Sequence, residues 1–431
     1  MEIAQIAGFS GAAFLGRSKK FAIILMACLA FAAGFSRAAV SQTASAEDRI
    51  KALEDRIKLL EDAMQKAGIQ MPPREIEALP AQDTAAQTKS YTTPAEKRRA
   101  GRKTRIGKSI EFDGLLESEM RFNRESGGNG RSATSSDILL STAQLGWRTT
   151  IGDGAAGNLV LLWEQDQPDP LHIDEGSITW VEDNYDFTAG FFFPPFGTFN
   201  SRFIVHPITQ DLGETQQGAV KFHYAASKTF DSSITIADGK ARKERTRSDK
   251  ANDYCLRLDA TPDIGKNKSA SIGIQYYSNF ANTNADLLGI ASATDTFVLR
   301  RMAGGAGINL ELAGGPFGLT GEYIGATKRF DPANLDANGD GGGDRPKAWN
   351  LELYYNRSVK NVLSFKYEGS GEFAGSPKSR YGINSNWNAG EGLTFSFEFL
   401  TASYSAGFAP AKAYGNTRRS NSVYSKFSLE F

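Results

Sequence analysis

The sequence predicts an all-β fold, a 16-stranded antiparallel transmembrane β-barrel with a short N-terminal coiled-coil helix, on three observations. From residue 108 onward, segments of 8 to 14 residues alternate apolar and polar side chains with period two, as strands with two unlike faces do. The connections alternate long and short, which suits a barrel with loops on one rim and tight turns on the other. The chain also closes on such a strand: in YSKFSLEF, Phe427, Leu429 and Phe431 share a parity with Val423, while Tyr424, Lys426, Ser428 and Glu430 take the other.

The elements follow in chain order. Residues 1–38 read as a secretory signal peptide: RSKK leads into the apolar run FAIILMACLAFAAGF, and small residues surround Ala38. That run is short for a bilayer-spanning helix. Cys28 follows a loose lipobox, but the residues after it stay apolar where a lipoprotein turns polar. With the signal removed, Cys255 is the remaining thiol, which leaves no internal disulfide. In residues 45–67, Ile50, Leu53, Ile57, Leu60, Met64 and Ala67 fall at heptad a and d spacing, so a coiled coil and self-association are expected; these residues alone lean to a parallel dimer, but barrel contacts usually dominate and a homotrimer is the expected assembly. Residues 68–107 turn rich in Pro, Ala, Gln and Thr and end in the basic run EKRRAGRKTRIGK, a periplasmic linker.

Residues 108–431 form the expected outer-membrane barrel. The sixteen strands are placed at 109–123, 137–150, 157–166, 172–181, 185–193, 216–226, 230–237, 253–260, 269–278, 303–312, 317–327, 347–356, 362–369, 379–388, 393–401 and 420–431. Odd-numbered connections are long or polar, from ESGGNGRSATSS after the first strand to YSAGFAPAKAYGNTRR before the last. Even-numbered ones are mostly tight, such as EDN at 182–184 and AGEG at 389–392. An even count puts both barrel ends on the short-turn rim, the periplasmic one, together with the coiled coil. Parity places Leu351, Leu353, Tyr355, Phe395, Phe397 and Phe399 outward, and Asn384, Asn386, Ser396 and Glu398 inward. A polar inside and an apolar outside invert the soluble-protein pattern.

Composition excludes several classes. Lys+Arg and Asp+Glu both number 49, so no basic excess advertises nucleic acid. Forty-four glycines suit a β protein rich in turns, and the absence of a second long apolar run excludes α-helical spans. GDGAAG at 152–157 precedes a strand rather than a helix and is a turn, not a dinucleotide site. His172, His206 and His223 are widely separated and form no catalytic constellation, so no enzyme is expected. In DANGDGGGD, Asp336, Asn338, Asp340 and Asp344 take the first, third, fifth and ninth places of a calcium loop, but the twelfth is Lys347. A polar surface loop is the preferred reading and weak Ca2+ binding at the outer rim the alternative, with no other cofactor expected.

The stretch from Pro194 to Thr215 mixes apolar and polar residues at a length suited to a loop that folds inward and narrows a pore. Arg202, His206, Asp211 and Glu214 are the polar groups expected to meet a solute, with Phe196 and Phe199 anchoring the loop. Pro195, Phe196, Gly197, Phe199, Pro207, Ile208, Thr209, Leu212, Gly213, Glu214, Thr215 and Ala219 resemble the signature of LbtU-type siderophore porins. The resemblance implies a barrel without a plug domain that passes ferric siderophore across the outer membrane of a Gram-negative-type cell. A terminal Phe431 with Phe427 and Leu429 before it resembles the signal read by the outer-membrane assembly machinery. A general diffusion porin and a structural tether between outer membrane and cell wall are the alternatives. Inward acids, among them Glu117, Glu119, Glu322, Glu352, Glu368 and Glu398, outnumber inward bases such as Arg121, Lys366 and Lys426, so cations or neutral solutes are expected rather than phosphate.

Overall fold

Alternating apolar and polar side chains give a strand one face for lipid and one for the lumen, and closure into a barrel pairs every backbone group that lipid could not satisfy. The protein is described from a computed structural model covering residues 104–106, 110–152, 154–165, 169–244, 251–283, 297–412 and 415–431. The expected signal peptide, the coiled coil and most of the linker lie outside the described residues. The end of the linker, Thr104–Ile106, is a short strand paired antiparallel with the start of the barrel.

All sixteen expected strands are present. They are β1 (Ile110–Gly127), β2 (Ser132–Ile151), β3 (Ala155–Trp163), β4 (Leu171–Glu182), β5 (Tyr185–Phe192), β6 (Gln217–Ala225), β7 (Phe230–Ala237) and β8 (Asp253–Ala260). They continue as β9 (Lys268–Tyr277), β10 (Gly305–Gly314), β11 (Phe317–Ala326), β12 (Lys347–Ser358), β13 (Asn361–Gly371), β14 (Ser379–Gly390), β15 (Leu393–Ser403) and β16 (Thr417–Glu430). Each pairs antiparallel with its sequence neighbours, and β16 closes on β1 from Thr417 opposite Gly127 to Glu430 opposite Leu115. Among the described residues no helix is long and apolar enough to cross a membrane.

The faces follow the expected parity. On β12, Leu351 and Leu353 are 45% and 48% exposed, whereas Asn350 and Glu352 between and beside them are 3% and 0% exposed. Two bulges adjust that parity. Glu117 opposes Thr142 while Ser118 opposes Leu140, so Ser141 is the extra residue and Leu139 turns inward beside outward Ile138 and Leu140. A second shift, between Val160 opposite Glu175 and Leu161 opposite Ile173, makes Asp174 the extra residue on β4.

One expectation is corrected. The first connection is not a long loop: β1 runs on to Gly127 and β2 starts at Ser132, which leaves residues 128–131 as the turn. Polar composition marks where a hairpin leaves the apolar layer, not where its ladder ends. Here Asn123, Arg124 and Glu125 pair with Ser135, Thr134 and Ala133 on one side and with β16 on the other, and the Ser422 hydroxyl donates to Asn123 at 2.9 Å.

At the long-loop rim the interior is apolar. Phe280, Phe330, Phe373, Leu299, Cys255 and Tyr277 form a buried cluster there, and Ala241–Lys243 pairs in parallel with Phe297–Leu299 to tie two loops together. At the opposite rim the terminal residue seals the closing seam: the Gly114 N–H donates to the Phe431 carbonyl at 2.8 Å and the Phe431 N–H returns to the Gly114 carbonyl at 3.0 Å. The Phe431 ring lies over Gly114, where a Cβ would come within 2.3 Å of it. We expect Gly114→Leu to displace this ring and destabilise the barrel by about 1–3 kcal/mol, read as a lower temperature of unfolding in detergent; an unchanged transition would show that the seam does not depend on the ring.

Candidate functional site

Between β5 and β6 the chain enters the barrel. Two consecutive prolines, Pro194 and Pro195, turn it inward, and Gly197 (φ 93°) and Phe199 (φ 51°) supply left-handed bends before a short helix, α1 (Ile208–Gly213). Apolar side chains anchor both ends: the Phe196 ring packs 5.7 Å from Tyr277 and 6.0 Å from Phe280, and Ile208 and Leu212 are fully buried.

The middle of the loop buries Phe203 and Ile204, but its backbone polar groups still need partners. The wall supplies them as carboxylates. Glu322 on β11 accepts the Thr198 N–H at 2.5 Å, the Phe199 N–H at 3.2 Å and the Thr209 hydroxyl at 2.8 Å. Glu352 on β12 accepts the Ser201 hydroxyl at 2.5 Å and the Arg202 N–H at 3.0 Å. Glu398 on β15 accepts the Ile204 N–H and, at 3.4 Å, that of Val205. Glu368 on β13 accepts the Ile208 N–H at 2.9 Å, and Glu311 on β10 takes the Asn200 amide at 2.8 Å.

The loop carbonyls are met from the same wall. Arg257 donates to the Gly197 carbonyl at 3.1 Å, Asn386 to Arg202 at 2.8 Å, Lys366 to Val205 at 3.1 Å and Arg380 to His206 at 2.8 Å. Register makes this possible, because Glu352 faces Lys366 and Glu368 faces Arg380 across adjacent strands. Lys366 lies 3.5 Å from both Glu352 and Glu368, all three side chains being fully buried. Buried charges persist only when paired and hydrogen-bonded, and each of these is.

The loop therefore closes one half of the lumen. The other half holds a cavity of about 620 Å³ between the loop and the wall of β1, β2, β3 and β16. The wall presents Glu117, Glu119, Arg121, Gln144, Glu164, Tyr424, Lys426 and Glu430, and the loop presents Phe199, Ile204, Val205, His206, Gln210 and Asp211. Lys426 pairs with Glu117 at 2.7 Å and Arg121 with Glu119 at 3.0 Å.

Of the residues singled out in the sequence, Phe199, His206 and Asp211 line this cavity. Phe196 lies at an anchor. Arg202 does not reach the cavity: its guanidinium sits 3.3 Å over the Tyr354 ring on the wall. Glu214 lies outside the lining and accepts the Gln210 amide at 2.9 Å. Sequence reasoning missed the acceptor role of Glu322, Glu352, Glu368 and Glu398. The available signal was a series of inward glutamates on strands that follow one long loop.

The acidic loop at the long-loop rim folds on itself. Asp336 accepts the N–H groups of Asp340 at 3.1 Å and Gly341 at 2.8 Å, Asp340 accepts that of Gly342 at 2.7 Å, and Asp344 accepts that of Ala337 at 2.6 Å. The Gly342 N–H and the Asn338 amide hold the Asp340 carboxyl below its ordinary range, while burial raises that of Asp344. Among the described residues, no three acidic, His or Cys side chains converge as metal ligands would.

No family model matches the chain. It is similar to a UPF0422 protein of Coxiella burnetii, 26% identical over 260 residues, covering 57% of this chain and 55% of that one. A UPF0422 protein of Legionella pneumophila is 23% identical over 299 residues, covering 63% of this chain and 55% of that one. The chain thus spans about half the length of these curated relatives. In fold it is similar to the outer membrane channel DcaP of Acinetobacter baumannii, with a TM-score of 0.53 and 14% identity over 77% of this chain and 100% of that one. It also resembles an anion-selective porin from Comamonas acidovorans, with a TM-score of 0.52 and 13% identity over 75% of this chain and 99% of that one. The fold is a porin-like barrel.

Removing one wall acceptor tests the pairing. Glu398→Leu leaves the Ile204 and Val205 N–H groups without their acceptor, at about 1–3 kcal/mol for each buried group. We expect the 200–206 segment to loosen, with faster limited proteolysis there, while the barrel stays assembled. A loop as resistant to protease as before would show that the carboxylate does not hold it.

Proposed function

We propose that the protein is an outer-membrane channel for small solutes, with the loop between β5 and β6 as its constriction. The observation that carries this reading is that the loop is fastened to one wall and leaves a polar cavity along the other, where an anchor or tether would need no passage. The apolar outer face and the porin-like fold support placement in the outer membrane, with the short-turn rim and the N-terminal segments in the periplasm. Deleting residues 198–210 removes the segment that spans the lumen while β5 and β6 remain paired to their neighbours. Single-channel recordings of the full chain should show conductance, and the deletion should raise it severalfold in a barrel that still resists detergent unfolding; equal conductance of the two would sink the constriction.

Passage of ferric siderophore is the finer reading, favoured by the resemblance of residues 195–219 to siderophore porins. Those residues serve chiefly to fasten the loop, as Phe196, Ile208, Thr209 and Leu212 do, so they support the shape of the passage more than the identity of the solute. A cell that needs this protein to grow on ferric siderophore, and loses that growth when 198–210 is deleted, would establish it. Growth independent of the protein would leave the general channel. We further propose a homotrimer, with Phe427, Leu429 and Phe431 read by the assembly machinery; a detergent complex with the mass of one chain would refute the trimer.

A further inference from the structure

We infer that the passage beside the loop favours organic cations with an apolar flank, such as short alkylammonium ions, over anions and over hydroxylated amines of equal size. The inference rests on the channel reading above and adds the class of solute. Observations on opposite sides of one cavity carry it. On the wall side, Glu117, Glu119, Glu164 and Glu430, joined by Asp211 from α1, face the cavity against Arg121 and Lys426. Both cations are held to that wall, by Glu119 and Glu117 respectively, so pairing evens out the field locally and leaves the sum negative. A narrow passage with one sign of charge in excess concentrates ions of the opposite sign.

The loop side is different in kind. Its N–H groups at Arg202, Ile204 and Val205 point to Glu352 and Glu398, and its carbonyls at Arg202, Val205 and His206 accept from Asn386, Lys366 and Arg380. Six backbone groups of this stretch are thus paired with the far wall. On the cavity side, Ile204, Val205 and Pro207 make a narrow apolar strip of which Val205 is the more exposed part, bounded by His206 and by the polar Asn200, Ser201 and Gln210. Where it passes that strip, a hydrated metal ion meets a surface that cannot replace its water. An alkylammonium ion meets carboxylates with its charge and the strip with its methylenes. Each methylene that leaves water there favours occupancy by up to about fourfold, few enough steps that the ion still leaves.

The test uses the full chain in planar bilayers. Bi-ionic reversal potentials are measured for butylammonium and for 3-hydroxypropylammonium, matched in charge and closely in size, each as the chloride against KCl. We expect preference for potassium over chloride, and butylammonium to be more permeant than its hydroxylated partner by about two- to fourfold. Val205→Asn should bring that ratio to about one while the preference for cations stays, since it polarises the strip and leaves the charges. Ile204→Thr provides the same readout should the first variant fail to assemble. Glu430→Gln should lower the preference for cations instead. Equal permeation of the two amines by the unsubstituted protein, or preference for chloride, overturns the inference and leaves the channel reading standing. An intact, detergent-resistant barrel that conducts nothing overturns the channel reading itself.

Discussion

A segment that crosses the interior of a barrel brings N–H and C=O groups into a space where the wall must pair them or water must reach them. In this protein the wall does so with carboxylates for the N–H groups and with Lys366, Arg257, Arg380 and Asn386 for the carbonyls. The remaining architecture depends on this exchange. It decides which half of the lumen is closed, where α1 rests, and that the remaining cavity lies along β1 to β3 and β16. Hydrogen bonds between ionised side chains and backbone amides are roughly twice as strong as neutral ones, and their burial beneath the loop shields them from salt. The apolar anchors at Phe196, Ile208 and Leu212 set the two ends, and the carboxylates hold the span between them.

The same exchange divides the acidic inventory of the lumen. Read from sequence, Glu322, Glu352, Glu368 and Glu398 count equally with Glu117, Glu119 and Glu430 toward a cation-attracting pore. In the folded protein the first group lies under the loop, with Glu352, Glu368 and Glu398 fully buried, and two of its members share Lys366. The cavity is faced instead by the second group together with Glu164 and Asp211. At the cavity the acidic excess expected from sequence is carried by this smaller set of residues, all but Asp211 on the wall. The neighbouring anion-selective porin shares the fold, and selectivity is carried by a few side chains that a fold does not determine.

The strands were legible because an apolar surrounding on one face and a polar lumen on the other impose a period of two, sustained over sixteen segments. Burial on β12 and β15 alternates as the sequence pattern does. Two features were not legible for physical reasons. The length of the β1–β2 hairpin was hidden because Ser, Thr and Asn pair as well above the membrane edge as apolar residues do within it. The side on which the loop lies was hidden because it depends on pairs such as Ser201 with Glu352 and Arg202 with Tyr354, which are far apart in sequence and meet only through the register of the closed barrel. Phe196 packs against Tyr277 and Phe280, as a large ring beside two prolines has few uses other than packing. Arg202 did not read correctly, because a charged side chain in a pore loop invites a role with solute and its stacking partner is on a strand.

This distinction bears on what a shared loop signature can mean. The residues that resemble siderophore porins, from Pro195 to Ala219, include the two bends, the anchoring aromatic, the cap of α1 and the apolar side chains beneath it. Each is demanded by folding a loop into a barrel of this size. Of the loop residues lining the cavity, Phe199 and Pro207 belong to that signature, whereas Val205, His206, Gln210 and Asp211, like Glu119, Glu164 and Glu430 opposite, lie outside it. A lineage can therefore keep the signature to keep the constriction while the solute changes through substitutions at positions that carry no fold. It follows that likeness in the anchoring residues argues for a common geometry of passage, and that likeness in what passes has to be sought on β1, β3 and β16.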